Sequence, residues 1–377
     1  MQTAAPMSPP GRPKGEYRSA QHEGTPVHPL VVRFGAFGDM VMTIPMAKAL
    51  AQRFGRPCDV VSSGPWTEPL LSRVPEVGRV MLLSSRKAPY LLNRSQRDLV
   101  RWLRQRPPGP VYLVETDEKS SWLLKKAGIT PDWICALSDL RRLPGEHATA
   151  HQLRQAAMTP AALAASHPLA GVSPAPESRP TLTDADRADC QAWLAGHGLA
   201  DAPLVLFQPG NKKTMRRGLR RRASNVKWWP EERWAQVMAG VHETLPTAKL
   251  LICGSPAERG LAEDIRARCS FDGVFIATDE LPIPRLLALQ ARAHSMVSID
   301  TGPAHSAAAM GCPVVVLFAR LEAMASSVPI STGAPVLILG PDSPAHDASM
   351  LSIEAAPVLA AWRAMVAGSG RAGPPSA

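Results

Sequence analysis

No stretch of this sequence approaches the ~20 consecutive apolar residues of a membrane-spanning helix. The opening residues, MQTAAPMSPPGRPKGEYRSAQHEG, also lack the apolar core of a secretory signal. Both absences lead to the expectation of a cytoplasmic protein, with at most peripheral contact at the inner membrane. Cysteines are few and scattered (Cys58, Cys135, Cys190, Cys253, Cys269, Cys312), and no two form a C-x-x-C pair. A disulfide framework and a zinc site are therefore both disfavoured, and reduced, buried thiols are expected.

Several catalytic signatures are missing as well. There is no G-x-S-x-G, H-E-x-x-H or Walker sequence, so hydrolase, metalloprotease and P-loop readings lack support. No G-x-G-x-x-G follows a strand, which argues against a dinucleotide site. No internal repeat of fixed period occurs. Asp184-Ala185-Asp186 has the D-x-D form of some metal sites, but Thr183 precedes a helix and Asp186 follows three residues later, the spacing of a capping box. No metal is expected there.

What the chain does have is length, apolar content and positive charge. Its 377 residues exceed the ~250–300 at which single cores split, so two domains are expected. Hydrophobic residues make up 45% and charged residues 20%, the balance of a folded globular protein. The net charge of +10 favours anionic partners: nucleic acid, a phosphorylated glycolipid, a membrane face or a nucleotide.

Apolar runs alternate with helical stripes. Residues 1–29 are Pro-rich and aperiodic and are expected to be a disordered tail. Strands are expected at Leu30–Phe34, Asp59–Ser62, Arg79–Leu83 and Val111–Glu115, with helices at Met40–Phe54, Thr67–Arg73, Gln96–Gln105 and Lys119–Ala127. The stretch from Gly145 to Leu182 turns to Ala, Pro, Ser and His, placing a domain junction there, with a linker over 166–182. A second alternating series follows from Asp184, through strands at Leu204–Gln208, Lys249–Cys253, Val274–Ile276, Ser295–Ile299 and Val314–Phe318, to a last helix at Ser352–Val366; 367–377 are expected to fray. Such alternation predicts two doubly wound parallel-sheet α/β domains, 30–165 and 183–366.

Two turns carry the chemistry. Gly35-Ala36-Phe37-Gly38-Asp39 joins a strand to a helix, where glycines allow close backbone approach and the helix start favours a negative group. Asp39 is open to two roles, helix cap or general base. Asp300-Thr301-Gly302-Pro303-Ala304-His305 likewise leaves a strand and enters a small-residue helix, offering a hydroxyl, backbone N–H groups and an imidazole suited to a diphosphate. Lys227, just ahead of the helix start Trp229-Pro230-Glu231-Glu232, can place a point charge on a phosphate. Glu258 follows the turn Cys253-Gly254-Ser255-Pro256 and could hold a ribose hydroxyl or favour a helix start. Gly210 and Asn211, after the first strand of the second half, are further candidate phosphate or acceptor contacts, as are Gly35 and Gly38. The run Lys212–Arg222 (KKTMRRGLRRR) is the densest positive charge, without the interleaved aromatics of a single-strand binder.

Together, VVRFGAFGDMVMTIP, NVKWWPEERWAQVM and SIDTGPAHSAAAMGCPVVVLF, in that order, resemble the ADP-heptose:lipopolysaccharide heptosyltransferases of glycosyltransferase family 9. The resemblance implies a GT-B fold, two Rossmann-like domains facing a cleft, with acceptor in the N-terminal half and donor in the C-terminal half. It implies metal-independent inverting transfer with no cofactor beyond the nucleotide-sugar donor, expected to be ADP-linked. By position it makes Asp39 the catalytic base, Lys227 the lysine at the donor diphosphate, Asp300, Thr301, Gly302 and His305 the nucleotide-phosphate loop, and Glu258 the ribose acid. The expected acceptor is a lipopolysaccharide core or related anionic glycan. The chain departs from the family in the basic insertion between Gly210 and Lys227. A nucleotide-sugar epimerase or hydrolase, and a non-enzymatic binder of anionic polymers, are the competing expectations; nucleic acid ranks last as a partner.

Overall fold

The computed structural model describes residues 27–115, 117–163, 177–211, 219–343 and 348–369. Most of the expected tails, much of the linker and the basic residues 212–218 lie outside these. Two parallel sheets emerge, as the alternation predicts.

The first half runs β1 (Leu30–Val32), α1 (Phe37–Phe54), β2 (Cys58–Ser62), α2 (Thr67–Leu71), β3 (Val77–Leu82), α3 (Arg94–Gln105), β4 (Val111–Leu113), α4 (Glu118–Ala127), β5 (Ile134–Ala136) and α5 (Ala148–Ala156). Its five-stranded sheet has the order β3-β2-β1-β4-β5. The second half runs α6 (Asp184–Gly196), β6 (Leu204–Gln208), α7 (Glu231–Thr244), β7 (Lys249–Ile252), α8 (Arg259–Arg266), β8 (Val274–Ile276), α9 (Ile283–Arg292), β9 (Ser295–Ile299), α10 (Gly302–Ala309), β10 (Val314–Leu317), α11 (Leu321–Ser326), β11 (Val336–Leu339) and α12 (Ala355–Ser369). Its six-stranded sheet has the order β11-β10-β9-β6-β7-β8. In each sheet the order reverses once, between β1 and β4 and between β9 and β6. Crevices outside the carboxyl ends of strands at such reversals are where open α/β sheets take ligands.

Some boundaries differ from expectation for physical reasons. The ordered chain begins before residue 30: Val27 is buried and the His28 carbonyl accepts from the Arg106 guanidinium at 2.9 Å. At the other end α12 continues past Val366 to Ser369. Helix α1 starts at Phe37 rather than Met40, because the Asp39 carboxylate, in its first turn, accepts the Ala36 N–H at 2.8 Å. Helix α5 went unseen because the residues it buries include His151, Gln152 and Gln155, which give no apolar stripe. Gln155 instead donates to the Leu113 and Cys135 carbonyls at 2.9 and 2.8 Å, tying the helix to β4 and β5. All six cysteines are free, five of them buried.

The two halves share a core. One apolar cluster includes Met40, Ile44 and Ala47 of α1 together with Ala304, Ala307 and Ala308 of α10 and Leu287 of α9. Small residues on α10 let the helices approach closely. Beside this cluster, Thr183 and Asp186 form the anticipated capping box at the start of α6, with reciprocal bonds of 3.1 and 3.0 Å. The same Asp186 carboxylate takes a bidentate pair from Arg73, at 3.0 and 2.6 Å, across the domain boundary. Asp186 is only 6% exposed, so breaking the pair leaves a charge nearly out of water.

Asp186→Ala removes cap and ion pair together and is expected to cost about 3–5 kcal/mol, with Arg73→Ala costing about 2–3 kcal/mol. Urea unfolding followed by circular dichroism measures both. Midpoints indistinguishable from wild type would mean that this pair does not hold the domains together.

Candidate functional site

The first turn is shaped around Asp39. A Cβ on Gly35 would lie 2.3 Å from the Asp39 Cβ, so only glycine lets the carboxylate fold back over the turn. One carboxylate oxygen takes the Ala36 N–H and the other takes the Arg33 guanidinium at 3.0 Å. Arg33 continues to Glu115, which also accepts the Phe34 N–H at 2.7 Å and pairs with Arg86 at 3.2 Å. Arg86 ends the chain of charges on Asp117 at 2.6 Å. Asp39 is thus both cap and cleft carboxylate: its side chain remains 34% exposed while its position is fixed from two sides.

The second turn faces the first. A Cβ on Gly38 would lie 2.8 Å from the His305 ring and 3.2 Å from Gly302 Cα, and one on Gly302 would lie 2.9 Å from the Gly38 nitrogen. The starts of α1 and α10 therefore touch backbone to backbone. Thr301 is the N-cap residue of α10, yet its hydroxyl caps none of the helix N–H groups. Lys227 reaches in from the segment before α7 and bonds both the carboxylate and the carbonyl of Asp300, at 2.5 and 2.7 Å. His305 lies 4.0 Å from the other Asp300 oxygen and is buried, and its Nδ1 has no hydrogen-bond partner. Burial pushes the imidazole down to about 4, against the opposing pull of Asp300 and Asp39. It is a neutral ring with one nitrogen unsatisfied beside a cation and two carboxylates.

Glu258 sits at the same edge of the second sheet. One of its oxygens is spent on the Ser255 N–H and hydroxyl, at 2.8 and 2.6 Å, which is the helix-start role. The other, Oε1, is buried without a partner beneath Gly210, where a Cβ would come within 2.1 Å of it. Burial raises this carboxyl above its ordinary value, only partly offset by the Ser255 bonds. An unpartnered buried oxygen of this kind costs free energy unless a ligand satisfies it. Asn211 lies next to Gly210, 3.4 Å from the Asn225 side chain.

The candidate site residues Gly35, Gly38, Asp39, Gly210, Asn211, Glu258, Asp300, Thr301, Gly302 and His305 lie beyond the carboxyl ends of β1, β6, β7 and β9, and Lys227 reaches the same place through Asp300. Residues 212–218 of the basic run lie outside the described residues. Gly35 and Gly38 shape the turn and the helix contact around which the others stand. Arg33, Arg86, Glu115 and His147 went unnoticed. The signal for Arg33 and Glu115 was available, as charges just beyond apolar strands at the reversal between β1 and β4, while Arg86, in the loop after the edge strand β3, reaches them only in the folded chain. His147 gave none, since it caps α5 through Nδ1 and reaches across to the Val328 carbonyl at 2.9 Å.

The family model described as glycosyltransferase family 9 (heptosyltransferase) matches residues 111–354. The lipopolysaccharide core heptosyltransferase OpsX of Haemophilus influenzae is 36% identical over 95 residues, 25% of this chain and 26% of that protein. The match thus spans about a quarter of the length of that curated relative. Among solved structures, Escherichia coli ADP-heptose lipopolysaccharide heptosyltransferase II superposes with a TM-score of 0.69 at 20% identity, covering 92% of this chain and 100% of that one. A family 9 glycosyl transferase of Veillonella parvula gives 0.70 at 17% identity, over 92% and 99%. Escherichia coli WaaC solved with ADP gives 0.62 at 16% identity, over 90% and 99%. The two-sheet architecture is thereby the GT-B fold.

Because His305 is held neutral when folded but binds a proton near 6.5 when unfolded, it subtracts stability as pH falls from about 6.5 towards 4. The loss is of the order of 3 kcal/mol at most. His305→Gln is expected to flatten the dependence of the thermal midpoint on pH in that window relative to wild type. Parallel curves would show that the imidazole titrates normally.

Proposed function

The chain belongs to glycosyltransferase family 9, and from the apposed turns of its two domains we propose that it transfers a heptose from ADP-heptose to a lipopolysaccharide-core or related glycan acceptor. The observation that carries the reading is the contact of Gly38 with Gly302 and His305, which sets Asp39 beside the Lys227–Asp300–His305 group.

In this mechanism the acceptor hydroxyl bonds to the anomeric carbon of the donor while Asp39 takes its proton. The bond from that carbon to the diphosphate oxygen breaks, and the electron pair leaves with the nucleoside diphosphate. Attack opposite the leaving group inverts the anomeric centre. The base is a carboxylate whose geometry is fixed before the acceptor arrives, which lowers the reorganisation the reaction requires. Negative charge developing on the diphosphate meets the Lys227 ammonium, the Thr301 hydroxyl and the N–H groups opening α10, so that charge is met without a divalent metal. Neutral His305 can donate to a phosphate oxygen without carrying charge of its own. Glu258 Oε1 supplies an acceptor for a ribose hydroxyl. WaaC was solved with ADP, which makes adenine the first base to test here. An acceptor of this kind places the protein in the cytoplasm, at the inner face of the membrane.

Calorimetric titration with ADP, UDP, GDP and CDP in chelator-treated buffer is expected to show selective ADP binding, weakened about tenfold or more by Lys227→Ala. Preference for another nucleotide would change the donor and leave the fold intact.

Asp39→Asn should lower kcat by roughly a hundredfold to ten-thousandfold while ADP affinity stays within a few-fold, with wild-type turnover persisting in chelator. Full activity in the folded variant would remove Asp39 from the base role. Abolition by chelator would reverse the metal-free assignment.

A further inference from the structure

The N-terminal domain presents apolar side chains to water at a point the fold holds firmly. Leu91 and Leu92, in a single 3-10 turn after Tyr90, are 80% and 84% exposed, and Trp122 on α4 is 40% exposed. These are one patch: the Tyr90 and Trp122 rings meet edge-on at 5.5 Å. The turn is anchored from beneath. Buried Gln96 donates to the Ser85 and Ala88 carbonyls at 2.8 and 3.0 Å, Asn93 donates to Ser85 at 2.9 Å, and Arg97 bonds the Leu91 carbonyl. Two adjacent leucines exposed on an ordered turn beside two aromatic rings form the kind of apolar patch that marks an interaction surface.

The surroundings define that partner. Lys119 lies 4.2 Å from the Trp122 ring centre and Lys126 lies 4.6 Å from the Tyr90 ring and 5.1 Å from the Trp122 ring. On α3, Arg94 and Arg101 share the single carboxylate of Asp98, leaving net positive charge, and Arg94 is 89% exposed. An apolar knuckle with amphipathic aromatics and a cationic rim matches a bilayer interface bearing anionic headgroups, where leucines enter the acyl boundary and Lys and Arg remain at the phosphates. A second copy of this chain would bring the same basic face and a net charge of +10, which opposes self-association here.

We propose that the Tyr90–Leu92 turn and the adjoining face of α3 and α4 dock the protein onto an anionic phospholipid surface. The proposal deepens the peripheral-membrane reading above and rests on it. It has a consequence for the site: Arg86, four residues before Tyr90, is the far end of the charge chain that runs through Glu115 and Arg33 to Asp39. A bilayer held at the turn would present a lipid-borne acceptor on the same side of the domain as the cleft carboxylate.

The test is flotation of the full-length protein with vesicles of phosphatidylcholine mixed with phosphatidylglycerol, and with vesicles of phosphatidylcholine alone, at low and high salt. The mixed vesicles should carry the protein at low salt and release it at high salt, and the neutral ones should not carry it. Leu91→Ser with Leu92→Ser should weaken partitioning roughly tenfold, and Lys119→Glu with Lys126→Glu should weaken it at least as much, both with unchanged circular dichroism and ADP titration. No flotation of wild type, or flotation untouched by both pairs of changes, overturns the proposal; in the second case another surface, such as the basic segment 212–218, would be the anchor. A dimer in light scattering that Leu91→Ser with Leu92→Ser converts to monomer also overturns it, in favour of self-association. Wild-type protein that binds ADP but not the mixed vesicles defeats only the docking surface, whereas wild-type protein that binds the vesicles but not ADP defeats only the donor reading.

Discussion

Gly38 against Gly302 and His305 is the contact on which the arrangement of the cleft depends. Two helix starts can come this close only when neither carries a side chain at the point of contact, and a methyl group on either glycine would push into backbone or ring. Behind them, the alanines of α10 let it pack on α1 within one apolar cluster. The Arg73–Asp186 pair fastens the same two domains elsewhere on the boundary. Close approach of backbones brings the partial positive charges of two helix starts to one place, which is an environment made for an anion.

Such a place would repel cations and attract carboxylates indiscriminately, and the chain disposes of both tendencies. Each of the two acidic side chains is committed to one cation: Asp39 to Arg33, Asp300 to Lys227. His305 remains neutral by burial, so it adds a hydrogen-bonding nitrogen without further charge. An entering diphosphate would compete with Asp300 for Lys227, and the exchange of one anion for another limits the reorganisation that binding requires. Glu258 is arranged on the same plan, with one oxygen used locally and one left unpaired.

The network beyond Asp39 extends this logic outward. Arg33, Glu115 and Arg86 join the ends of β1 and β4 and connect the proposed base to the loop that carries Leu91 and Leu92. The Asp39 site and the loop carrying the exposed apolar turn are thus linked through one chain of ion pairs. If the turn meets a bilayer, the orientation of the cleft towards that bilayer is fixed by the same ion pairs that orient the carboxylate.

Most strands of both sheets were legible in the sequence because short apolar runs bounded by turns have few other fates, and β6, β8 and β9 fall where the pattern puts them, whereas the edge strands β5 and β11 were not anticipated. The turns at Gly35–Asp39 and Asp300–His305 were legible because glycine, an acid and a helix start in that order are locally determined. So was the capping box of Thr183 and Asp186, which needs no more than one helical turn. What could not be read was everything whose energy comes from distant partners. Helix α5 is held by side-chain amides reaching the carbonyls of β4 and β5, the Arg73 partner of Asp186 lies far away in sequence, and Arg33 acquires its role only when β1 and β4 become neighbours. By itself the sequence determined the residues of each turn and their chemistry, since these follow from local backbone geometry. That the turns meet, that His305 is neutral and that Asp39 comes near His305 were decided by tertiary packing, because proximity and burial belong to no residue until the chain has folded.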